Sequence, residues 1–178
     1  MRIRSVIAVL AGFGAITGSV VALEPSGWDK AWWGMTEREV GEVVSGVVPP
    51  AAKHETITGY EGLTVPSYMM KDCEFRAELF FNKISRQLEK IRLELQAANR
   101  IRGLVSRCFT DVSGVFSQDY GNPVEESKDD SDGSDVISRE WRPGNTRILA
   151  YRMLFSELGI GIMTVDYEPI DPWKRAKP

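Results

Sequence analysis

The sequence is poor in the residues that most often carry chemistry. It has one histidine, His54, and two cysteines, Cys73 and Cys108, in 178 residues. A Ser-His-Asp or Cys-His triad would have to be built on His54, which lies in a predicted loop without a second histidine to share a metal. Neither Gly-x-Gly-x-x-Gly nor Gly-x-x-x-x-Gly-Lys-Ser/Thr occurs, so nucleotide-binding loops find no support. No repeat appears at the periods that mark solenoids. Positive charge is not in excess either: the net charge is −3, which gives no electrostatic reason to expect a nucleic-acid partner.

What is present begins with an address. Arg2 and Arg4 precede an apolar run over residues 6–16, and Gly18-Ser19-Val20-Val21-Ala22 follows. This pattern reads as a secretory signal peptide over residues 1–22, cleaved after Ala22, with Val20 and Ala22 at the positions the peptidase reads. The alternative is an uncleaved anchor, since residues 6–23 are nearly long enough to span a bilayer; Gly12, Gly14 and Gly18 argue for cleavage. With no cysteine near Ala22 to carry a lipid, the expected product is periplasmic, without a stable membrane anchor. Losing Arg2 and Arg4 takes the net charge from −3 to −5. The remaining chain of about 156 residues suits one domain with a real core, set at residues 23–168. Three prolines with Lys174, Arg175 and Lys177 mark residues 169–178 as a frayed, disordered tail.

The strongest periodic signal lies at residues 73–81, where Cys73, Phe75, Ala77, Leu79 and Phe81 alternate with Glu74, Arg76, Glu78 and Phe80. Period-2 alternation predicts a strand with one buried face, and residues 91–95 repeat it. Cross-strand charge fixes the register: Glu78 opposite Arg92 sets Arg76 against Glu94 and Phe80 against Lys90, whereas a two-residue slip would oppose Arg76 and Arg92. Helical spacing of Ile101, Leu104, Val105, Cys108, Phe109, Val112, Val115 and Phe116 predicts a long helix over residues 97–120, stopped by Gly121 and Pro123.

Upstream, Thr36 and Glu39 form a capping box, with Met35 and Val40 placed as a hydrophobic staple. A short helix should start at Thr36, present Val40, Val43, Val44, Val47 and Val48 on one face, and end at Pro49-Pro50. Residues 51–66 read as a loop with a short edge strand near 56–60, and residues 125–135 as a mobile acidic loop. Residues 136–141, 146–155 and 160–167 read as a three-strand meander. Its middle strand is apolar on both sides over Ile148-Leu149-Ala150-Tyr151, which predicts at least partial cover on its second face. The expected fold is α+β: an antiparallel sheet of about five strands, a β-hairpin plus the meander, packed on one long helix, with a short N-terminal helix.

Cys73 and Cys108 both fall on apolar sides of their elements, so helix-on-sheet packing would bring them together as a structural disulfide. A redox pair would more commonly be close in sequence, and a metal site would need further ligands. The acidic stretch Lys128-Asp129-Asp130-Ser131-Asp132-Gly133 resembles part of an EF-hand. Aligned on Gly133, however, it has Lys128 where the first Asp belongs and Arg139 where the bidentate Glu belongs. Carboxylate spacing selects no pair for glycoside hydrolysis. Trp28, Trp32 and Trp33 precede the first helix and either seal it against the sheet or form a partner-binding patch; the neighbouring Met35 favours sealing by at least one.

The run Trp33-Gly34-Met35-Thr36-x-x-Glu39-Val40, the alternating strands, the helix ending Tyr120-Gly121-Asn122-Pro123 and the final meander resemble small periplasmic proteins of proteobacteria. The Gly-Met-Thr-x-x-x-Val start is also similar to that of outer-membrane assembly lipoproteins of the BamE type and, more distantly, to the β-lactamase-inhibitor fold. The chain departs from the BamE pattern in having no lipidated cysteine and a long helix between its strand pairs. What the sequence and the resemblance imply is a periplasmic protein-interaction or inhibitor-like module without catalytic activity or cofactor. Its expected partner is another envelope protein. The alternative is a small-ligand-binding or enzymatic domain with a pocket between the long helix and the sheet.

Overall fold

A computed structural model of the chain describes residues 27–51, 55, 59–96, 101–130 and 133–171. A small hairpin of β1 (Gly27–Trp28) and β2 (Ala31–Trp32) leads into α1 (Glu37–Val43). The strands β3 (Gly59–Met70), β4 (Cys73–Asn82) and β5 (Leu88–Leu95) follow, then α2 (Arg102–Tyr120). The chain closes with β6 (Glu125–Asp129), β7 (Ser134–Trp141), β8 (Thr146–Phe155) and β9 (Ile160–Pro169). The fold is α+β, with an antiparallel sheet in the order β3-β4-β5-β9-β8-β7-β6. The signal-like segment at residues 1–22 and the loop histidine His54 lie outside the described residues.

The alternating stretch forms β4, and its pairing with β5 places Glu78 opposite Arg92, Arg76 opposite Glu94 and Phe80 opposite Lys90. Opposed charges therefore select the register in which the apolar residues share one face. The meander forms as expected, and β5 pairs with β9 through Arg92 opposite Asp166, which joins hairpin and meander into one sheet.

That sheet has seven strands, not about five. One addition is β3, which occupies residues read largely as loop. Its breaks at Glu61/Leu63 and Val65/Tyr68 take up Gly62 and Pro66. On an edge strand a proline at a bulge removes no ladder hydrogen bond. The other addition is β6, in the acidic stretch read as a mobile loop. Every residue of it is exposed. It pairs with β7, and Arg139 Nε donates to Glu126 Oε2 at 2.8 Å. A strand with no buried face has no apolar alternation by which to be read.

The capping box forms in both directions: the Glu39 amide donates to Thr36 Oγ1 at 3.4 Å and the Thr36 amide to Glu39 Oε2 at 2.7 Å. The helix then stops at Val43 rather than running to Pro49. Val40 and Val44 are buried, but Val48 has left the helix for extended pairing, its amide and carbonyl each bonding Thr64 at 2.8 Å. Gly41, Gly46 and the β-branched valines make continued helix costly, and a sheet edge offers the same backbone better partners.

The long helix begins at Arg102; residues 97–100 are outside the described set. It ends on Gly121, whose φ of 83° is open to glycine at little cost, and the Trp141 indole N–H donates to the Gly121 carbonyl at 3.1 Å. Val105, Cys108, Phe109, Val112 and Phe116 are at most 3% exposed and join one core with Leu93, Ile148, Ala150 and Val165. The layer between helix and sheet is filled with side chains. Cys73 and Cys108 are bonded across it, with Cα atoms 5.8 Å apart. A disulfide is consistent with an oxidising, extracytoplasmic compartment. None of the described helices is long and apolar enough to cross a membrane. At the C-terminal end the Ile170 and Asp171 amides are held by Asn145, so the first residues of the predicted tail are anchored; residues 172–178 are outside the described set.

Candidate functional site

Residues directly opposite in antiparallel strands project on the same side, so the pairings sort the sheet into two faces. Phe75, Ala77, Leu79, Ile91, Leu93, Val165, Ile148 and Ala150 point to the helix side and are buried there. The hairpin and α1 add Trp28, Trp33, Val40 and Val44 to the same core. The opposite face carries two contrasting halves.

Across its middle runs a chain of ion pairs. Arg92 forks onto Asp166 with two hydrogen bonds of 2.8 and 2.9 Å, and Lys90 bridges Asp166 at 2.8 Å and Glu168 at 2.7 Å. Arg147 continues it, donating to Glu168 at 3.2 Å and to Glu140 at 2.7 Å. Burial pushes the Asp166 carboxyl up, but the hydrogen bonds and charges of Arg92 and Lys90 outweigh it and hold the group below its ordinary range. Glu140 is lowered in the same way, burial being outweighed by Arg147 and Arg142. These charges are committed to one another.

The second half is apolar. Leu149, Tyr151, Met153 and Phe155 alternate along β8, and Ile160 and Ile162 stand beside Phe155 and Met153 on β9. Five of the six are half-buried and Ile160 is 45% exposed. On the same face, beyond Ser134, Val136 and Ser138 of β7, the edge strand β6 sets Glu125, Ser127 and Asp129 in the open, giving that flank an acidic fringe. The sheet edges themselves are poor docking sites. β6 is short and charged, while β3 is bulged and partly paired by Val48. The face, not the edge, is what the architecture offers.

Of the three tryptophans considered for partner binding, Trp28 and Trp33 are buried, at 5% and 4% exposure, and Trp32 is half-buried. Trp28 packs on Tyr68 with ring centroids 4.8 Å apart, and the Trp33 indole donates to Thr146 Oγ1 at 3.0 Å. Both rings belong to the core. Lys128, the first position of the EF-hand-like alignment, lies within β6 and pairs with Asp130 at 3.2 Å. Only part of the apolar strip is legible in the sequence: Leu149 and Tyr151 make a second apolar side, while Met153 and Phe155 continue the same alternation along β8 and Ile162 joins them from β9. No described element covers that side; α2, the hairpin and α1 all lie on the other.

Comparison with protein-family models, with curated proteins and with solved structures finds no match.

Proposed function

We propose that the chain is an exported protein-interaction or inhibitor-like module, without catalysis of its own, that docks an envelope protein on the apolar half of its open sheet face. One observation carries this reading: six apolar side chains of β8 and β9 face away from the core with no described element over them. An interior strand apolar on both sides belongs between two layers, and here the second layer is the partner. The acidic fringe of β6 suits a partner whose apolar contact is bordered by lysine or arginine. An interface of standard size, roughly 800 Å² per side, takes in the strip together with its charged flanks. The signal-like N-terminus and the disulfide support the setting. The competing reading of a ligand pocket between α2 and the sheet draws no support from packing, since the helix residues there are at most 3% exposed.

The test is a photo-crosslinking amino acid placed at Tyr151 on the open face or at Thr110 on the exposed side of α2, in the exported protein in intact cells. The reading expects a discrete protein adduct from position 151 and none of that size from 110. No adduct from 151, or the same adduct from both positions, would refute it.

A further inference from the structure

A second recess lies away from the apolar strip, where the start of α1, the β3 edge and the β4–β5 turn meet. It holds about 580 Å³, within the range of small-molecule sites. Its carboxylates come from α1 and the β3 side: Glu37, Glu61 and Glu55, the last bridged to Tyr60 through the backbone. Its cations, Lys83 and Arg86, come from the turn. Pro49 and Pro50 complete the wall.

Three features show that the recess is built rather than left over. The Tyr60 hydroxyl donates to Glu37 Oε1, and the Arg86 guanidinium stands over the Tyr60 ring at 5.1 Å from its centroid. Glu37 and Phe81 pack closely over Gly62, where a Cβ would lie 2.8 Å from Glu37 Cδ and 2.7 Å from Phe81 Cδ2. Arg86 has a φ of 58°, a turn position where glycine or asparagine costs least and a longer side chain costs about 1 kcal/mol. What the arginine gains at that position is its place over Tyr60, which sets a cation at the recess. Glu61 is 1% exposed, and its carboxylate accepts from Arg76 Nη2 at 2.9 Å and from Thr64 Oγ1.

Both signs of charge meet in one recess. A purely cationic ligand would be repelled by Lys83 and Arg86, and a purely anionic one by the three carboxylates. The geometry points to a small zwitterion, a free short peptide of about dipeptide size. Its ammonium is taken by the half-buried Glu37, its carboxylate by Lys83 and Arg86, and its body lies against Tyr60 and the two prolines. The Lys83–Glu55 pair, 3.0 Å long with side chains 40% and 63% exposed, is a surface pair of little worth that opens readily to release Lys83. This site is independent of the docking face and stands whether or not a protein binds there.

Calorimetric titration of the exported protein with L-alanyl-L-phenylalanine tests it, alongside the same dipeptide N-acetylated or C-amidated. Binding of the free dipeptide is expected, and each capped form should bind about tenfold more weakly, the loss of one charge-assisted contact. Arg86→Gly separates binding from folding, because it suits the turn backbone while removing the cation: the melting temperature should hold or rise while affinity falls at least about fivefold. No heat at millimolar dipeptide, capped forms that bind as well, or an Arg86→Gly variant that binds unchanged would each overturn the assignment.

Discussion

Asp166 is the acceptor on which two cations of β5 converge, and its side chain is only 14% exposed. Its carboxyl is held below the ordinary value of 3.8, and that of Glu140 below 4.5. A depressed folded-state pKa contributes stability that is complete above the unfolded value and lost as pH falls through the folded one. From these two groups, then, no pH dependence is expected between about pH 7 and 5.5, and a progressive loss of stability below about pH 4. Asp166→Asn leaves Lys90 and Arg92 partly buried without their shared anion. It should cost about 2–3 kcal/mol at neutral pH and flatten the acid limb, read from urea midpoints across the pH range. The same residues show what a sequence discloses at this scale. Arg76, Glu78, Arg92 and Glu94 selected one register because like charges opposite one another exclude the other. Asp166 joining Arg92 could not be read, because nothing in either strand states that β5 and β9 are neighbours.

Elements were legible where one face is buried and illegible where none is. Strands β4, β5, β7, β8 and β9 and the helix α2 carry apolar periodicity and were found. The wholly exposed β6 and the bulged β3 hold their places through backbone pairing, which leaves little apolar trace. The valines after Thr36 show the converse: the pattern continues to Val48, but helix propensity fails first and Val48 joins the sheet edge. Among these elements α2 is joined to the sheet by its apolar stripe and by the Cys73–Cys108 bond, which closes a loop over a sequence separation of 35. In the chain-entropy account such a link stabilises by about 3–4 kcal/mol. A Cys73→Ala/Cys108→Ala double variant should lose that amount in chemical denaturation while retaining the native far-ultraviolet spectrum, since the stripe of Val105, Phe109, Val112 and Phe116 still packs. A loss below about 1 kcal/mol would show that the bond adds little to the packing it spans.

At the scale of the molecule the design is asymmetric. One face of the seven-stranded sheet is sealed by two helices and a tryptophan hairpin, and the other divides into a self-neutralised charged band and an apolar strip fringed with acid. The candidate docking face was half visible in advance, as an apolar second side on β8. Its extent depends on β8 and β9 lying in register, which only the assembled sheet displays. The polar recess was not visible at all: Glu37, Tyr60 and Arg86 lie far apart in sequence and on different elements, and only the assembled fold brings them together.

The two faces each carry a methionine on neighbouring strands, Met153 half-buried on the open face and Met163 at 1% exposure against the helix. Hydroxyl-radical footprinting of the exported protein, alone and after incubation with solubilised envelope, reads both in one experiment. The account expects Met153 to oxidise readily in the isolated protein, Met163 to be protected throughout, and Met153 to become protected when envelope protein is present. Equal oxidation of the two methionines, or a Met153 that reacts unchanged in the presence of envelope, would contradict it.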